Sequence, residues 1–147
     1  MTKMRYITAS EIGLVRDENQ DYLAIEEKDD VIFAVVADGI GGANAGSLAS
    51  KMTVQQLMKS FLEHDDFSDL QAINAWFHDA VTKTNERVYK KSRSNRKYYG
   101  MGTTLVALVL GQDGGVAFNI GDSRIYAYYQ EKLECLSRDQ TYAYEMY

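Results

Sequence analysis

Residues 31–42 read VIFAVVADGIGG, and this stretch decides the fold. Seven apolar residues in succession, Val31 to Ala37, are too few for a buried helix and lack helical periodicity. Bounded by the turn signal Lys28-Asp29-Asp30 and by glycines, they predict a strand buried on both faces. The run ends on Asp38, and a Gly-rich segment, Asp38 to Gly46, follows. A second run of the same kind, TTLVALVL at Thr103 to Leu110, comes after a long helical interval. Two such strands imply a sheet covered on each side.

Working outward, Asp21 to Glu26 (DYLAIE) alternates well enough for a short strand, and Met4 to Ser10 is a weaker strand candidate. Gly13 to Gln20 reads as a loop. Ser47 to His64 places Leu48, Met52, Leu57, Met58, Phe61 and Leu62 near helical spacing. Ser68 or Asp69 caps a second helix whose face runs from Leu70 through Ile73, Ala75, Trp76, Phe77, Ala80 and Val81 to Val88. The basic run Lys90 to Lys97 (KKSRSNRK) reads as a solvated connection rather than a binding patch. After it come Thr103 to Leu110, a hairpin turn at Gly111 to Gly115, Val116 to Ile120, a tight turn at Gly121 to Arg124, Ile125 to Tyr129 and Lys132 to Leu136. From Ser137 onward the chain reads as the start of a helix. Strands, two helices, then strands predict an α+β layered fold with mainly antiparallel sheet.

The 147 residues suit one domain of 16.6 kDa. An apolar fraction of 46% with 25% charged residues excludes a disordered chain. No segment approaches the roughly 18–20 apolar residues of a membrane span, and MTKMRYITASEIG has no apolar leader, so secretion and membrane insertion are not expected. Cys135 stands alone, which agrees with a reducing cytoplasm. A net charge of −5 gives nucleic acid nothing to bind.

Three carboxylates share one kind of position. Asp21 opens a strand, Asp38 closes one, and Asp122 sits in a turn between two. Strand-end carboxylates at one rim of a sheet suit hard divalent cations such as Mg²⁺ or Mn²⁺. Taken singly, Asp21 and Asp122 read better as turn formers. Asp38 is the stronger candidate, because a carboxylate ending an apolar strand needs a partner or a metal. Gly39 exposes a carbonyl that an ion could approach closely. Arg16 offers a planar fork for a phosphate. The glycines from Gly39 to Gly46 match neither G-x-G-x-x-G nor a P-loop. His64 reads as a solvated histidine and His78 as a surface or boundary residue. No zinc-type ligand spacing occurs, Cys135 has no evident histidine partner, and Ser123 lacks a nucleophile elbow.

Four segments in order carry a resemblance: Gly13-Leu14-Val15-Arg16 with Asn19-Gln20-Asp21, then Val36-Ala37-Asp38-Gly39-Ile40-Gly41-Gly42, then Gly100-Met101-Gly102-Thr103-Thr104-Leu105, then Asn119-Ile120-Gly121-Asp122-Ser123-Arg124-Ile125-Tyr126. Together they resemble the PPM family, the metal-dependent serine/threonine protein phosphatases of type 2C, in its bacterial form. The resemblance implies a sandwich of two antiparallel sheets flanked by helices. It also implies two Mg²⁺ or Mn²⁺ ions, with a weaker third, and hydrolysis of phosphoserine and phosphothreonine by a metal-activated water. Asp38 matches the carboxylate that bridges the metals, Gly39 the carbonyl ligand, Asp21 a metal-site carboxylate and Asp122 the aspartate of the third metal. Arg16 matches the arginine that grips substrate phosphate. Partners would be phosphorylated proteins, serine/threonine kinase substrates among them.

Two positions depart from the family pattern. Gln20 stands where Glu is usual, and Ile40 stands where eukaryotic members carry histidine. The family's later Asp-Gly and Asp-Asn metal motifs have no counterpart up to Tyr147. The chain is therefore expected to be a single domain over residues 1–147, cut off after the start of the lid segment at Ser137 to Thr141. Unpaired sheet edges beside the two apolar runs would then favour self-association. The alternative is a phosphatase-like module that binds a partner or phosphopeptide without turnover.

Overall fold

The computed structural model describes residues 4–42 and 44–141. Its strands are β1 (Asp21–Lys28), β2 (Val31–Ile40), β3 (Gly102–Thr103), β4 (Leu105–Gly111), β5 (Gly114–Ile120), β6 (Tyr126–Tyr129) and β7 (Lys132–Cys135). The helices are α1 (Ala45–Glu63) and α2 (Leu70–Ser94), followed by a 3-10 turn at Arg96–Tyr98. The main sheet runs β1-β2-β4-β5, with β3 added to the end of β2, and β6 pairs with β7 in a separate hairpin. Every pairing is antiparallel. The α+β reading with two antiparallel sheets and two helices holds.

The elements follow from local chemistry. Asp29 and Asp30 take positive φ of 50° and 63°, as Gln130 and Glu131 do at 49° and 61°, closing two-residue hairpins. Gln112 and Asp113 form the third, so Gly114 and Gly115 begin β5 instead of completing a long turn. The Asp69 side chain accepts from Ala72 N–H at 2.8 Å and starts α2. The Lys28 ammonium donates to the Leu62 and His64 carbonyls at 3.0 and 2.8 Å, satisfying the end of α1.

Both helices lie on one face of the sheet. Phe33 is fully buried there, with ring centroids of Phe61 and Trp76 at 5.2 and 5.1 Å. Val35, Ala37, Leu105, Ala107 and Val109 share its side, and Phe77 stacks on Phe118 at 3.8 Å. On α2 the buried positions are Ile73, Trp76, Phe77, Ala80, Thr84, Val88 and Ser92, while Leu70 and Ala75 face outward.

Several expectations change. Met4 to Ser10 is not a strand. Asp38 and Gly39 belong to β2, which runs on to Ile40 because β3 pairs with it there. The run Lys90 to Ser94 is the last part of α2, not a connection. His64 is not simply solvated: its ring stacks on Trp76 at 5.8 Å. Neither apolar run lies at an edge, since β2 and β4 are the middle strands and β1 and β5 flank them. Nor is the sheet covered on both sides by the described residues. Strand alternation puts Leu23, Ile25, Ala34, Val36, Leu108 and Leu110 opposite the helices, and Val36 is 42% exposed. Residues 137–141 form no helix, and the rest of that expected helix lies outside the described residues.

Candidate metal and phosphate site

The site forms where β1 and β2 end together. Their register pairs Asp21 with Asp38 directly across the ladder. Paired residues point to the same side, so both carboxylates lie at one corner of the face opposite the helices, with Cβ atoms about 4.5–5.5 Å apart as in any such pair. Asp38 is tied down through its backbone. Its N–H donates to Thr104 Oγ1 at 3.0 Å, and its carbonyl accepts from Thr104 N–H at 2.9 Å and from Thr103 Oγ1 at 2.9 Å. These bonds leave the carboxylate to its neighbour across the ladder, Asp21.

Thr104 also joins Asp122 to this corner. Its hydroxyl lies 2.6 Å from Ser123 Oγ, which anchors the turn carrying Asp122. Gly121, with φ of 95°, sits against Thr104, where a Cβ would come within 2.9 Å of Thr104 Cγ2. Behind the turn, the Arg124 guanidinium grips Asp139 through Nε at 2.8 Å and Nη2 at 2.6 Å. That pair holds the Arg124 pKa above and the Asp139 pKa below their ordinary values, chiefly by hydrogen bonding. Gln140 N–H donates to the Gly121 carbonyl at 2.9 Å, so residues 137–141 are laid along the Asp122 turn.

The loop carrying Arg16 is positioned by residues that sequence reasoning passed over. Glu18 accepts from Asn44 N–H at 3.1 Å and from the Ser47 hydroxyl, and so serves as the anionic cap of α1 from outside the helix. Hydrogen bonds from Ser47 and then Gln20 hold its carboxyl below the usual range. The Gln20 amide donates to Glu18 Oε2 at 3.2 Å, a contact that a second carboxylate at position 20 could not make. The Gln20 carbonyl accepts from Gly39 N–H at 3.0 Å and Ser50 Oγ at 2.6 Å. Gly39 has to be glycine for packing: a Cβ would lie 2.0 Å from the Gly46 carbonyl oxygen. Asn19 Oδ1 accepts from Asp21 N–H at 3.0 Å and orients the start of β1. An N-x-D pattern opening a strand was the available signal for that turn.

Arg16, Asp21, Asp38 and Asp122 thus come together electrostatically. Partial burial and then the Asp21 carboxylate push the Asp38 carboxyl above its ordinary pKa; Asp122 adds to the push and Arg16 opposes it. Asp38 and Asp21 are also close enough to share a hydrogen bond. A carboxylate raised by a second one beside it is the kind of hard-oxygen pair that a divalent cation neutralises. The donors fit Mg²⁺ or Mn²⁺ in kind. They are few, however: among the described residues no three Asp, Glu, His or Cys side chains are grouped to hold one metal ion.

The protein phosphatase 2C family model matches residues 15–146. The chain is a member of the protein phosphatase 2C family. Its similarity to the serine/threonine phosphatase stp of Listeria monocytogenes is 34% identity over 135 residues, covering 91% of this chain and 54% of that one. A solved serine/threonine phosphatase of S. agalactiae superposes with a TM-score of 0.85 at 34% identity, over 94% of this chain and 57% of that chain. The catalytic domain of serine/threonine protein phosphatase PstP, solved with two manganese ions, superposes with a TM-score of 0.78 at 28% identity, over 97% of this chain and 58% of that one. The chain therefore spans little more than half the length of the 2C-family relatives it matches. No helix among the described residues is long and apolar enough to cross a membrane.

Proposed function

We propose that this chain provides the phosphate-gripping and metal-bridging half of a protein serine/threonine phosphatase. The reading rests on the direct pairing of Asp21 with Asp38 at one sheet corner, within the electrostatic reach of Asp122 and Arg16. Asp38 would bridge two Mg²⁺ or Mn²⁺ ions, with Asp21, the Gly39 carbonyl and Asp122 as further ligands. Such ions, when bound, lower the pKa of a water and neutralise phosphoryl charge. The protein's own part is positional. The Thr103 and Thr104 bonds fix the Asp38 backbone, Glu18 fixes the loop of Arg16, and the guanidinium fork holds two phosphoryl oxygens for in-line attack. Ile40 carries no titratable group, so leaving-group protonation would fall to water or another group.

The substrates would be phosphoserine and phosphothreonine proteins of bacterial signalling. The free, exposed Cys135 supports work in a reducing cytoplasm. The donors present do not close the shells of two ions, which supports treating residues 1–147 as one incomplete phosphatase domain. The open sheet face supports self-association of the chain by itself, which light scattering reads directly.

Calorimetric titration with Mn²⁺ tests the assignment. Weak binding by the chain should vanish in Asp38→Ala, and aryl phosphate hydrolysis should appear only when the complementary segment of a relative is added. Undiminished Mn²⁺ affinity in Asp38→Ala would sink it. Phosphopeptide binding without turnover in the complemented protein would favour the non-catalytic module.

A further inference from the structure

Five of the eight residues from Lys90 to Lys97 are cationic, in a chain of net charge −5. The structure gives this run a definite shape. Lys90 to Ser94 finish α2, and Asn95 Oδ1 accepts from Lys97 N–H at 3.0 Å to start the 3-10 turn. The Tyr98 ring is half-buried against Ala45, Ala49, Val88 and Met101 and so forms a fixed platform. The ammonium groups of Lys91 and Lys97 lie 4.9 and 4.7 Å from its centroid. Arg93 lies 5.3 Å from the Tyr99 ring.

Helix electrostatics explain only part of this. Lys91 and Arg93 lie in the last turn of α2 and complement its dipole. Arg96 and Lys97 lie beyond the helix, and Lys51 projects from α1. The ion pairs among the described residues are Lys28 with Asp65, Lys59 with Glu63, Lys83 with Asp79 and Arg124 with Asp139, so Lys51, Lys91 and Lys97 have no carboxylate partner there. Lys97 also hydrogen-bonds the Tyr98 side chain, so its ammonium is held in place at the platform.

The position of the cluster relates it to the site. A cleft of about 420 Å³ runs from Lys97 and Tyr98 past Lys51 and Ser47 to Asn19 and Asp21. One end carries Lys97 on its Tyr98 platform with Lys51 nearby, and the other reaches Asp21 of the candidate metal pair. We propose that this cleft is a docking subsite for acidic residues flanking the phosphorylated serine or threonine of a protein substrate. The proposal rests on the phosphatase reading above. A carboxylate-rich peptide fits better than nucleic acid, because a continuous phosphate backbone would have to pass Asp21 and its neighbours Asp17 and Glu18 in an acidic chain. A short anionic flank needs only Lys51 and Lys97, the two cations that line the cleft.

Fluorescence anisotropy on the full chain with Mn²⁺ present tests it. The probes are a phosphothreonine peptide with Glu-Glu flanks, the same peptide with Ala-Ala flanks, the unphosphorylated Glu-Glu peptide, and a single-stranded RNA oligomer. The acidic flanks should tighten binding on the order of tenfold at low salt, an advantage that shrinks as salt screens it. Lys51→Ala/Lys97→Ala should remove most of that advantage while the chain still unfolds cooperatively, with only a small loss of melting temperature from the lost Lys97–Tyr98 contact. Lys97→Glu should reverse the preference. Equal affinity for the two phosphopeptides, a preference that survives both variants, or tighter binding of the RNA would each overturn the proposal. The phosphatase reading fails separately: a flank preference lost in the variants, without hydrolysis in the complemented protein, leaves the docking site standing. Hydrolysis without any preference removes the docking site alone.

Discussion

The two faces of the five-stranded sheet are built from the same strands and meet different surroundings. Toward the helices, Phe33 is 0% exposed among Phe61, Trp76 and Phe77. Three positions along β2 and on the other face, Val36 is 42% exposed, with Leu23, Ile25, Leu108 and Leu110 only half-buried around it. The β6–β7 hairpin shares this openness, with Tyr128 at 72% and Leu133 at 66%. Most of the packing therefore lies on the helix side of the sheet, although Ile32 and Val106 are buried on the other. The candidate chemistry, Asp21 and Asp38, sits at a corner of the other. A site on the less packed side relies on backbone hydrogen bonds through Thr103, Thr104 and Gln20 for its rigidity.

The largest effect should come from breaking the covered face. Phe33→Ala should cost about 3–5 kcal/mol, as large-to-small core changes do, whereas Val36→Ala should cost less than about 1 kcal/mol. Urea midpoints of the two variants measure the difference. A Val36→Ala cost near that of Phe33→Ala would mean that a second copy of the chain covers the open face in solution.

Gly39→Ala should come next. Its Cβ would meet backbone of α1, the Gly46 oxygen at 2.0 Å, where no side chain can yield. An overpacking cost of about 2–3 kcal/mol is expected, with Mn²⁺ binding lost as the strand shifts. Unfolding at neutral pH and Mn²⁺ titration would show it. An unchanged melting temperature would contradict the close approach of β2 and α1.

The smallest effect concerns the Arg16 loop. The Glu18 carboxyl is held below its ordinary pKa by Ser47 and Gln20. A depressed acid contributes stability above its unfolded pKa of about 4.5 and loses it as pH falls through the lower folded value. Glu18→Gln should therefore lower stability by a constant amount at and above neutral pH and flatten the acid limb, where that contribution is lost anyway. Thermal melts between pH 3 and 7 measure this. Identical acid limbs would show that Glu18 does not cap α1.

The degree of legibility varied by element for physical reasons. The Val31 to Ala37 run is unmistakable, because seven apolar residues ahead of Asp-Gly have few other uses. The start of α1 two residues before Ser47 was not legible. Its first turn is satisfied by Glu18, which lies 26 residues from Asn44. Local capping rules do not see such a partner. The basic run at Lys90 to Lys97 looked like solvated chain because its aromatic platform, Tyr98, rests on residues of α1 that are distant in sequence. The extended path of residues 137–141 depends on Arg124 and on the Gly121 backbone, and a pattern of polar residues carries no sign of either.

By itself the sequence determined the α+β class, the two apolar strands, both helices and the identity of Arg16, Asp21, Gly39, Asp38 and Asp122 as candidates. These follow from periodicity, turn chemistry and ordered motifs, all of which act over short stretches. Tertiary structure alone decided that Asp21 faces Asp38, since that depends on hairpin register. It alone decided that Thr104 joins the β2 end to the Asp122 turn, and that Lys51 and Lys97 from different elements flank one cleft. Each of these is a meeting of groups far apart along the chain, set by how sheet and helices pack rather than by any local preference.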